Sequence, residues 1–147
     1  MPRYRSILAV FLALVATVLV SCGSPTAAKP PTYTAAQLEQ IQKYTPAIAQ
    51  LRDRMDNLQT LIQQKNWTDV STYIHGPLGE LRRNLSLVSR SLLPTQQAEA
   101  KEISKGLFKH LEDIGAAAQT NSYSLAVKKY KDALADFDAF LKLIPES

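Results

Sequence analysis

The side chains best suited to chemistry are His75 and His110, which are the only histidines in the chain. His110 and Asp113 are three positions apart, so a helix would place them on one face, where they could hold a surface metal ion. Two ligands make only an adventitious site for a divalent ion such as zinc. We favour the interpretation that His110 has a structural role beside the Asp113 carboxylate. We therefore expect no cofactor, with His75, His110 and Asp113 as the candidate ligands if a metal binds.

His75 precedes Gly76-Pro77, a pair that must bend or break a helix. We expect its ring to hydrogen-bond carbonyl groups that such a break leaves without partners. This structural role is favoured over metal binding.

Paired carboxylates and nucleophile motifs give no support to catalysis. Glu112 and Asp113 are adjacent, and Asp136 and Asp138 are two positions apart. Neither spacing brings two carboxylates to the same face of a helix. The sequence has no glycine-rich phosphate loop and no Gly-x-Ser-x-Gly turn. We expect a protein that is not an enzyme.

The single cysteine, Cys22, lies in a context that predicts lipidation. Arg3 and Arg5 precede an uncharged stretch over 7–20. A secretory signal has the same order, a short basic segment followed by an apolar one. The stretch is shorter than the roughly 20 residues of a membrane-spanning helix. Leu19-Val20-Ser21-Cys22 resembles the bacterial lipobox, in which the thiol receives a diacylglyceryl group and the signal is cleaved just before it. A soluble signal with a chance cysteine, or an uncleaved anchor, is the alternative.

This context divides the chain into residues 1–21, a signal peptide, and residues 22–34, a lipidated cysteine with a flexible linker. The linker holds Pro25, Pro30 and Pro31 among small and polar residues, so it is extended and semi-flexible. If fully extended, residues 23–34 would reach about 35–40 Å. Loss of the signal lowers the net charge from +4 to +2. Export and this modest charge argue against a nucleic-acid partner.

From Ala35 onward, hydrophobic spacing predicts amphipathic helices. The first runs over about 35–65 and is interrupted at Thr45-Pro46, where a restart with Thr45 as N-cap or a strong kink leaves 35–44 less firmly packed. Its apolar residues recur every seven positions in two series, Ile41, Ile48, Met55 and Ile62, and Tyr44, Leu51 and Leu58.

Three further helices follow. Asn66 caps the second helix, which bends or breaks at 76–79 and ends at Leu92-Leu93-Pro94. Thr95 caps the third helix. The fourth helix follows Asn121-Ser122 and stops at Pro145. The predicted stripes are Val70, Ile74, Leu78, Leu81, Leu85, Val88 and Leu92; Ala100, Ile103, Leu107, Leu111, Ile114 and Ala118; and Val127, Tyr130, Leu134, Phe137, Leu141 and Ile144.

Short connections force neighbouring helices to be antiparallel. The predicted fold is all-α, an up-down-up-down four-helix bundle over residues 35–147, preceded by the proline-rich tether. The alternative is a pair of helical hairpins that completes a bundle only in a dimer.

Basic residues form stripes on the second and third helices. Unpaired lysines four positions apart repel one another, which favours a docking face for an acidic protein surface or anionic lipid headgroups. A solubilising face is still the more common explanation for such a stripe. The candidate partner-binding residues are Arg82, Arg83, Arg90, Lys101, Lys105 and Lys109.

Several segments, distributed over about 33–145, resemble the PsbQ family in its cyanobacterial lipoprotein form. The Trp67 segment and the Gly76-Pro77 turn are the most distinctive. The segments are Tyr44-Thr45-Pro46 with Leu51-Arg52, Asn66-Trp67 with Asp69-Val70, residues 74–82, Leu92-Leu93-Pro94, and residues 133–137.

The resemblance implies an extrinsic subunit of photosystem II, lipid-anchored at the lumenal side of the thylakoid membrane. It would bind the photosystem II core and other extrinsic lumenal subunits, stabilising the oxygen-evolving complex and its retention of calcium and chloride. The chain departs from the plant form, which has a transit peptide and a long amino-terminal arm, so contacts of that arm do not carry over. The alternatives are a lipid-anchored periplasmic scaffold or assembly factor and, ranked lower, a metal-binding bundle.

Overall fold

The computed structural model describes residues 31–146. This part of the chain is helical without strands, and none of its helices is long and apolar enough to cross a membrane. The predicted signal peptide, Cys22 and the linker up to residue 30 lie outside the described residues. The helices are α1 (Ala35–Gln63), α2 (Trp67–His75), α3 (Leu81–Ser91), α4 (Pro94–Gln119) and α5 (Tyr123–Leu141).

The helices form a four-helix bundle in which α2 and α3 together make the second rod. Helix α1 packs against α2 and α3, α4 packs against both of them, and α5 packs against α4 and α1. Within residues 31–146, the diagonal pairs make no close backbone contact. This pattern is that of an up-down-up-down bundle closed within one chain, and it confirms the predicted fold class.

The apolar stripes converge on one core. Helix α1 buries Ile41, Ile48, Leu51, Met55, Leu58 and Ile62. The second rod buries every residue of its predicted stripe, from Val70 to Leu92. On α4, Ile103 is only partly buried, whereas Ala100, Leu107, Leu111, Ile114 and Ala118 lie inside as predicted.

The predicted restart at Thr45-Pro46 is wrong, because α1 is continuous through Pro46. Proline removes one helical hydrogen bond, but Pro46 is exposed, so the freed carbonyl can face water. The Thr45 hydroxyl donates to the Ile41 carbonyl at 2.8 Å. Since Ile41 and Ile48 are buried on either side of the proline, core packing holds both halves in one helix.

The beginning of α1 is anchored more firmly than expected. Thr34 and Gln37 form a capping box, in which the Thr34 side chain accepts from the Gln37 N–H and the Gln37 side chain accepts from the Thr34 N–H. Just before it, the Tyr33 hydroxyl donates to the Gln96 side chain near the start of α4. These contacts and buried Ile41 correct the expectation that residues 35–44 pack loosely.

The second rod breaks where the glycines and proline predict it. Asn66 caps α2 by accepting from the Asp69 N–H at 3.4 Å. In the turn between α2 and α3, a Cβ on Gly79 would lie 2.7 Å from the His75 carbonyl oxygen, so this close approach requires glycine. Leu78 is buried within the turn, which keeps the interrupted rod attached to the core.

The N-terminus of α4 differs from the predicted Thr95 cap. Leu93 is the N-cap residue and Pro94 occupies the first turn, where its missing N–H costs nothing and its fixed φ suits the helix. The Gln97 side chain turns back to donate to the Leu92 carbonyl at 2.8 Å.

Helix α5 presents a different face from the predicted one. Ala126, Ala133 and Phe140 are fully buried, whereas the predicted Val127, Leu134, Leu141 and Ile144 are only partly buried. Tyr130 and Phe137 belong to both faces and are buried. Alanines at the contact let two helix backbones approach closely, so α5 turns its small residues rather than its larger branched ones inward.

Ala133→Leu should lower the free energy of unfolding by about 1–3 kcal/mol, because extra methylene groups would enter a filled contact. Urea denaturation measures the change. Ala135→Leu is the matched control: the same substitution two positions along α5, at an exposed site, should leave stability almost unchanged. Equal effects of the two substitutions would contradict the observed face of α5.

Candidate docking groove between α3 and α4

A groove of about 880 Å³ runs along the exposed side of the α3–α4 pair. Its basic lining residues are Arg82, Arg90, Lys101, Lys105 and Lys109. These are five of the six candidate partner-binding residues, so the fold brings together basic groups that the sequence places on two separate helices. Arg83 is exposed but does not line the groove.

Helix geometry explains the convergence of the lysines on α4. Lys101, Lys105 and Lys109 follow one another at four-residue intervals, so they share one face. On α3, Arg90 is turned by about 80° from Arg82 and only about 20° from Arg83. Rotation about α3 alone therefore does not explain why Arg82 and Arg90 line the groove while Arg83 does not.

The floor of the groove consists of small side chains, chiefly Ser86, Ser89, Ala98 and Ser104. The Ser89 and Ser104 hydroxyls each donate to a carbonyl of their own helix at 2.7 Å. These hydroxyls are therefore satisfied without a partner. Larger side chains would fill the space between the helices, so the small residues create the groove. Sequence reasoning missed these residues, although their recurrence between basic positions was the available signal.

Arg82 is held at one end of the groove by two contacts. Its guanidinium lies 4.1 Å from the centre of the Phe108 ring, a stacking cation–π arrangement. Its Nη2 atom is 3.5 Å from Oε1 of Glu112, with both side chains exposed. The ring therefore keeps the positive charge at the groove edge while the ion pair remains weak.

The other basic groups of the groove differ in how far they are paired. Lys105 Nζ is 4.0 Å from Glu102, and Lys109 Nζ is 3.2 Å from Asp113. Arg90 and Lys101 have no acidic side chain within 4.0 Å in the described part of the chain. Because only Glu112 adds a negative charge to the lining, the groove carries a clear positive excess.

Asp113 lies beside the groove in a different network, on the seam between α4 and α5. It accepts from Lys129 at 3.0 Å and from Lys109 at 3.2 Å. The hydrogen bond from Lys129 is the main cause that holds the pKa of the Asp113 carboxyl below its ordinary value, and Lys109 adds to it. Asp113 is therefore a structural anion.

His110 pairs with Asp136 rather than with Asp113. Its Nδ1 atom lies 3.0 Å from Asp136 Oδ2, across the same seam. A Cβ on Gly106 would lie 2.7 Å from that carboxylate oxygen, so glycine leaves the space that Asp136 occupies. The predicted structural pairing of His110 with a carboxylate is present, but the carboxylate comes from α5.

The His75 side chain is exposed and makes no hydrogen bond within residues 31–146. The carbonyls at the helix break accept from the backbone instead: Thr72 from the Gly76 N–H at 2.9 Å, and Tyr73 from the Leu78 N–H at 3.2 Å. These backbone hydrogen bonds satisfy the carbonyl groups that we expected the His75 ring to bind.

The candidate metal ligands are therefore spread over separate contacts. Across residues 31–146, no group of three or more His, Cys, Asp or Glu side chains is arranged to hold a metal ion. His110 and Asp136 together offer two ligands, which suits an adventitious ion.

The acidic pairs named from the sequence also separate in the fold. Asp138 accepts from Arg52 Nε of α1 at 2.6 Å, while Asp136 faces His110 on α4. The hydrogen bond with Asp138 raises the pKa of the Arg52 guanidinium. Close by, burial raises the pKa of the Tyr130 hydroxyl. These groups tie α1 and α4 to α5 rather than face a common substrate.

Asp113→Asn should lower the free energy of unfolding by about 0.5–1 kcal/mol at pH 7. Folding lowers the pKa of Asp113 from 3.8. The contribution of its ion pairs to the free energy of unfolding is therefore present above pH 3.8 and is lost as the pH falls through the lower, folded-state pKa. Urea denaturation at pH 7, 5 and 3 should show the deficit at the two higher values and a smaller one at pH 3.

Asp53→Asn is the control for this pH series, because Asp53 is exposed on α1 and forms no ion pair within residues 31–146. It removes the same charge and should change stability little at any of the three pH values. A deficit for Asp113→Asn that stayed constant across the series would contradict the ion-pair explanation.

Comparison with known proteins gives two matches. The PsbQ family, described as oxygen evolving enhancer protein 3, matches residues 3–145. The protein CyanoQ of Synechocystis sp. is 49% identical over 148 aligned residues, which cover 100% of this chain and 99% of that protein. Both matches include the groove and the bundle around it.

Proposed function

The chain belongs to the PsbQ family, as its resemblance predicted, and on this premise we propose that it is a non-catalytic extrinsic subunit of photosystem II on the lumenal side. The observation that carries the proposal is the family match over residues 3–145. The basic groove supports it by supplying a surface suited to a binding protein.

The proposed action is to dock on the lumenal surface of the complex and stabilise the oxygen-evolving complex. A rigid bundle that covers part of this surface limits the exchange of water and ions, and so favours retention of calcium and chloride. The polar side chains of α4 and α5 satisfy one another in pairs such as His110–Asp136 and Lys129–Asp113. These pairs serve packing, which suits a binding role.

We further propose that Cys22 carries the lipid that attaches the protein to the thylakoid membrane. Each buried CH₂ group contributes about 0.8 kcal/mol, so two or more acyl chains hold a protein stably. The linker that follows would keep the bundle near the membrane complexes. Such tethering raises its effective concentration at a docking site.

Arg90→Glu combined with Lys101→Glu should reduce recovery of the protein with gently purified photosystem II about tenfold. These two groups lack acidic partners in the described residues, and a loss of about 1.4 kcal/mol in binding corresponds to that factor. Recovery is measured by quantitative mass spectrometry against a core subunit. Raised salt should also release the unaltered protein, because it screens exposed charges.

The matched control is Arg83→Glu combined with Lys131→Glu, which makes the same change in net charge at exposed positions outside the groove. This control should stay bound. Equal losses in both variants would show that net charge, rather than the groove, governs docking. Absence of the unaltered protein from the complex, with recovery in another membrane fraction, would overturn the proposed function.

The mature protein from its source membranes should begin at a diacylglycerol-modified Cys22. Intact-mass measurement and analysis of the amino-terminal peptide test this. Cys22→Ser should carry no acyl mass and should not be cleaved before residue 22, because the pattern requires the cysteine. An unmodified Cys22, or a mature terminus at another residue, would contradict the proposed anchor.

A further inference from the structure

The α3–α4 groove has the dimensions of a site for a length of polypeptide. Its lining on α4 extends from Gln97 to Glu112, which is about 22 Å at 1.5 Å per residue. The groove is open along its exposed side. A site of this shape suits an elongated segment lying along the two helices.

The basic groups of α4 recur along the groove at a regular interval. Lys101, Lys105 and Lys109 are each four residues apart, or about 6 Å along the helix axis. A partner helix with a carboxylate at every fourth position has the same repeat, and an extended strand with one at every second position repeats at about 6.6 Å. Arg82 and Arg90 flank this row from α3.

The basic groups of the groove can contact such a partner at a small cost in existing ion pairs. Arg90 and Lys101 have no acidic side chain within 4.0 Å in the described residues. The Arg82–Glu112 and Lys105–Glu102 pairs are long, at 3.5 and 4.0 Å, and exposed, so exchanging them for new partners costs little. Lys109 is held by Asp113 at 3.2 Å and contributes less.

Most of the floor places no hydrogen-bonding demand on what lies above it. Ser89 and Ser104 already donate within their own helices, Ala98 has no polar side-chain atom, and the hydroxyl of exposed Ser86 is open to water. Small or aliphatic side chains of a partner could therefore rest on the floor while its carboxylates meet the basic edges. This combination favours a segment with acidic residues on one side and small residues on the other.

We propose that this groove binds an acidic segment of a photosystem II protein, with carboxylates spaced about 6 Å apart. The inference rests on the proposed function and specifies the chemistry of the partner. A row of separate charges over about 12 Å, from Lys101 to Lys109, fits a polypeptide better than a lipid headgroup, which concentrates its charge at one point.

Filling the groove without changing its charge tests the proposal. Ala98→Trp and Ser86→Phe each place a bulky ring at an exposed lining position on a different helix. Ala135→Trp is the control, since Ala135 is exposed on α5 and does not line the groove. Circular dichroism and urea denaturation establish that each variant folds.

The probe is a fluorescent peptide of about fifteen residues, long enough as a helix to span the groove, with glutamate at every fourth position and alanine elsewhere. Its binding to the full chain in mild detergent is followed by anisotropy at low salt. Ala98→Trp, Ser86→Phe and Arg90→Glu should each weaken binding at least tenfold, while Ala135→Trp should not. A peptide of the same composition with its glutamates grouped at one end should bind more weakly.

A second readout separates this inference from the proposed function. Recovery with photosystem II should fall in the two filled-groove variants. If they lose the peptide but remain bound to photosystem II, the groove does not hold the docking segment, and the proposed function stands. If the peptide does not bind while phosphatidylglycerol vesicles do, and Ala98→Trp abolishes vesicle binding, the occupant is a lipid headgroup and the inference is overturned. Peptide binding without recovery of the unaltered protein in photosystem II would overturn the partner and the proposed function together.

Discussion

The close approach of α4 to α5 is the constraint on which the rest of the bundle depends. Ala126 and Ala133 are fully buried, and Gly106 leaves room for the Asp136 carboxylate that meets His110. Small residues allow dense packing between helices, and the polar pairs Lys129–Asp113 and His110–Asp136 join the two helices across this seam. With one side of α4 held in this way, its lysine row lies along the open side next to α3.

Small residues serve opposite purposes on the two sides of α4. Toward α5, the Asp136 carboxylate occupies the space beside Gly106. Toward α3, Ala98 of α4 and Ser86 of the facing helix remain exposed, and the space between the helices stays open as the groove. The same small side chains therefore give a filled contact on one side of α4 and an open, basic groove on the other.

The sequence predicted the number of rods and most of the core, because a periodic apolar stripe reports burial directly. It failed at Pro46, where core contacts of Ile41 and Ile48 outweigh the local effect of proline, and on α5, where hydrophobicity favoured Val127 and Leu134 over the smaller Ala126 and Ala133. The groove itself was not foreseeable in the same way. Charge spacing identified its basic residues, but their convergence, and the exclusion of Arg83, depend on how α3 is oriented beside α4.

The strength of the individual contacts determines what kind of docking this surface can provide. The basic groups of the groove are exposed, and exposed ion pairs contribute at most about 1 kcal/mol each. Several such contacts acting together give specific but reversible binding that salt weakens. A lipid tether would compensate by keeping the bundle close to its target, since a linker supplies effective concentration without adding contacts. The weak, distributed charges and the proposed membrane anchor would therefore complement each other: the anchor would maintain proximity and the groove would select the partner.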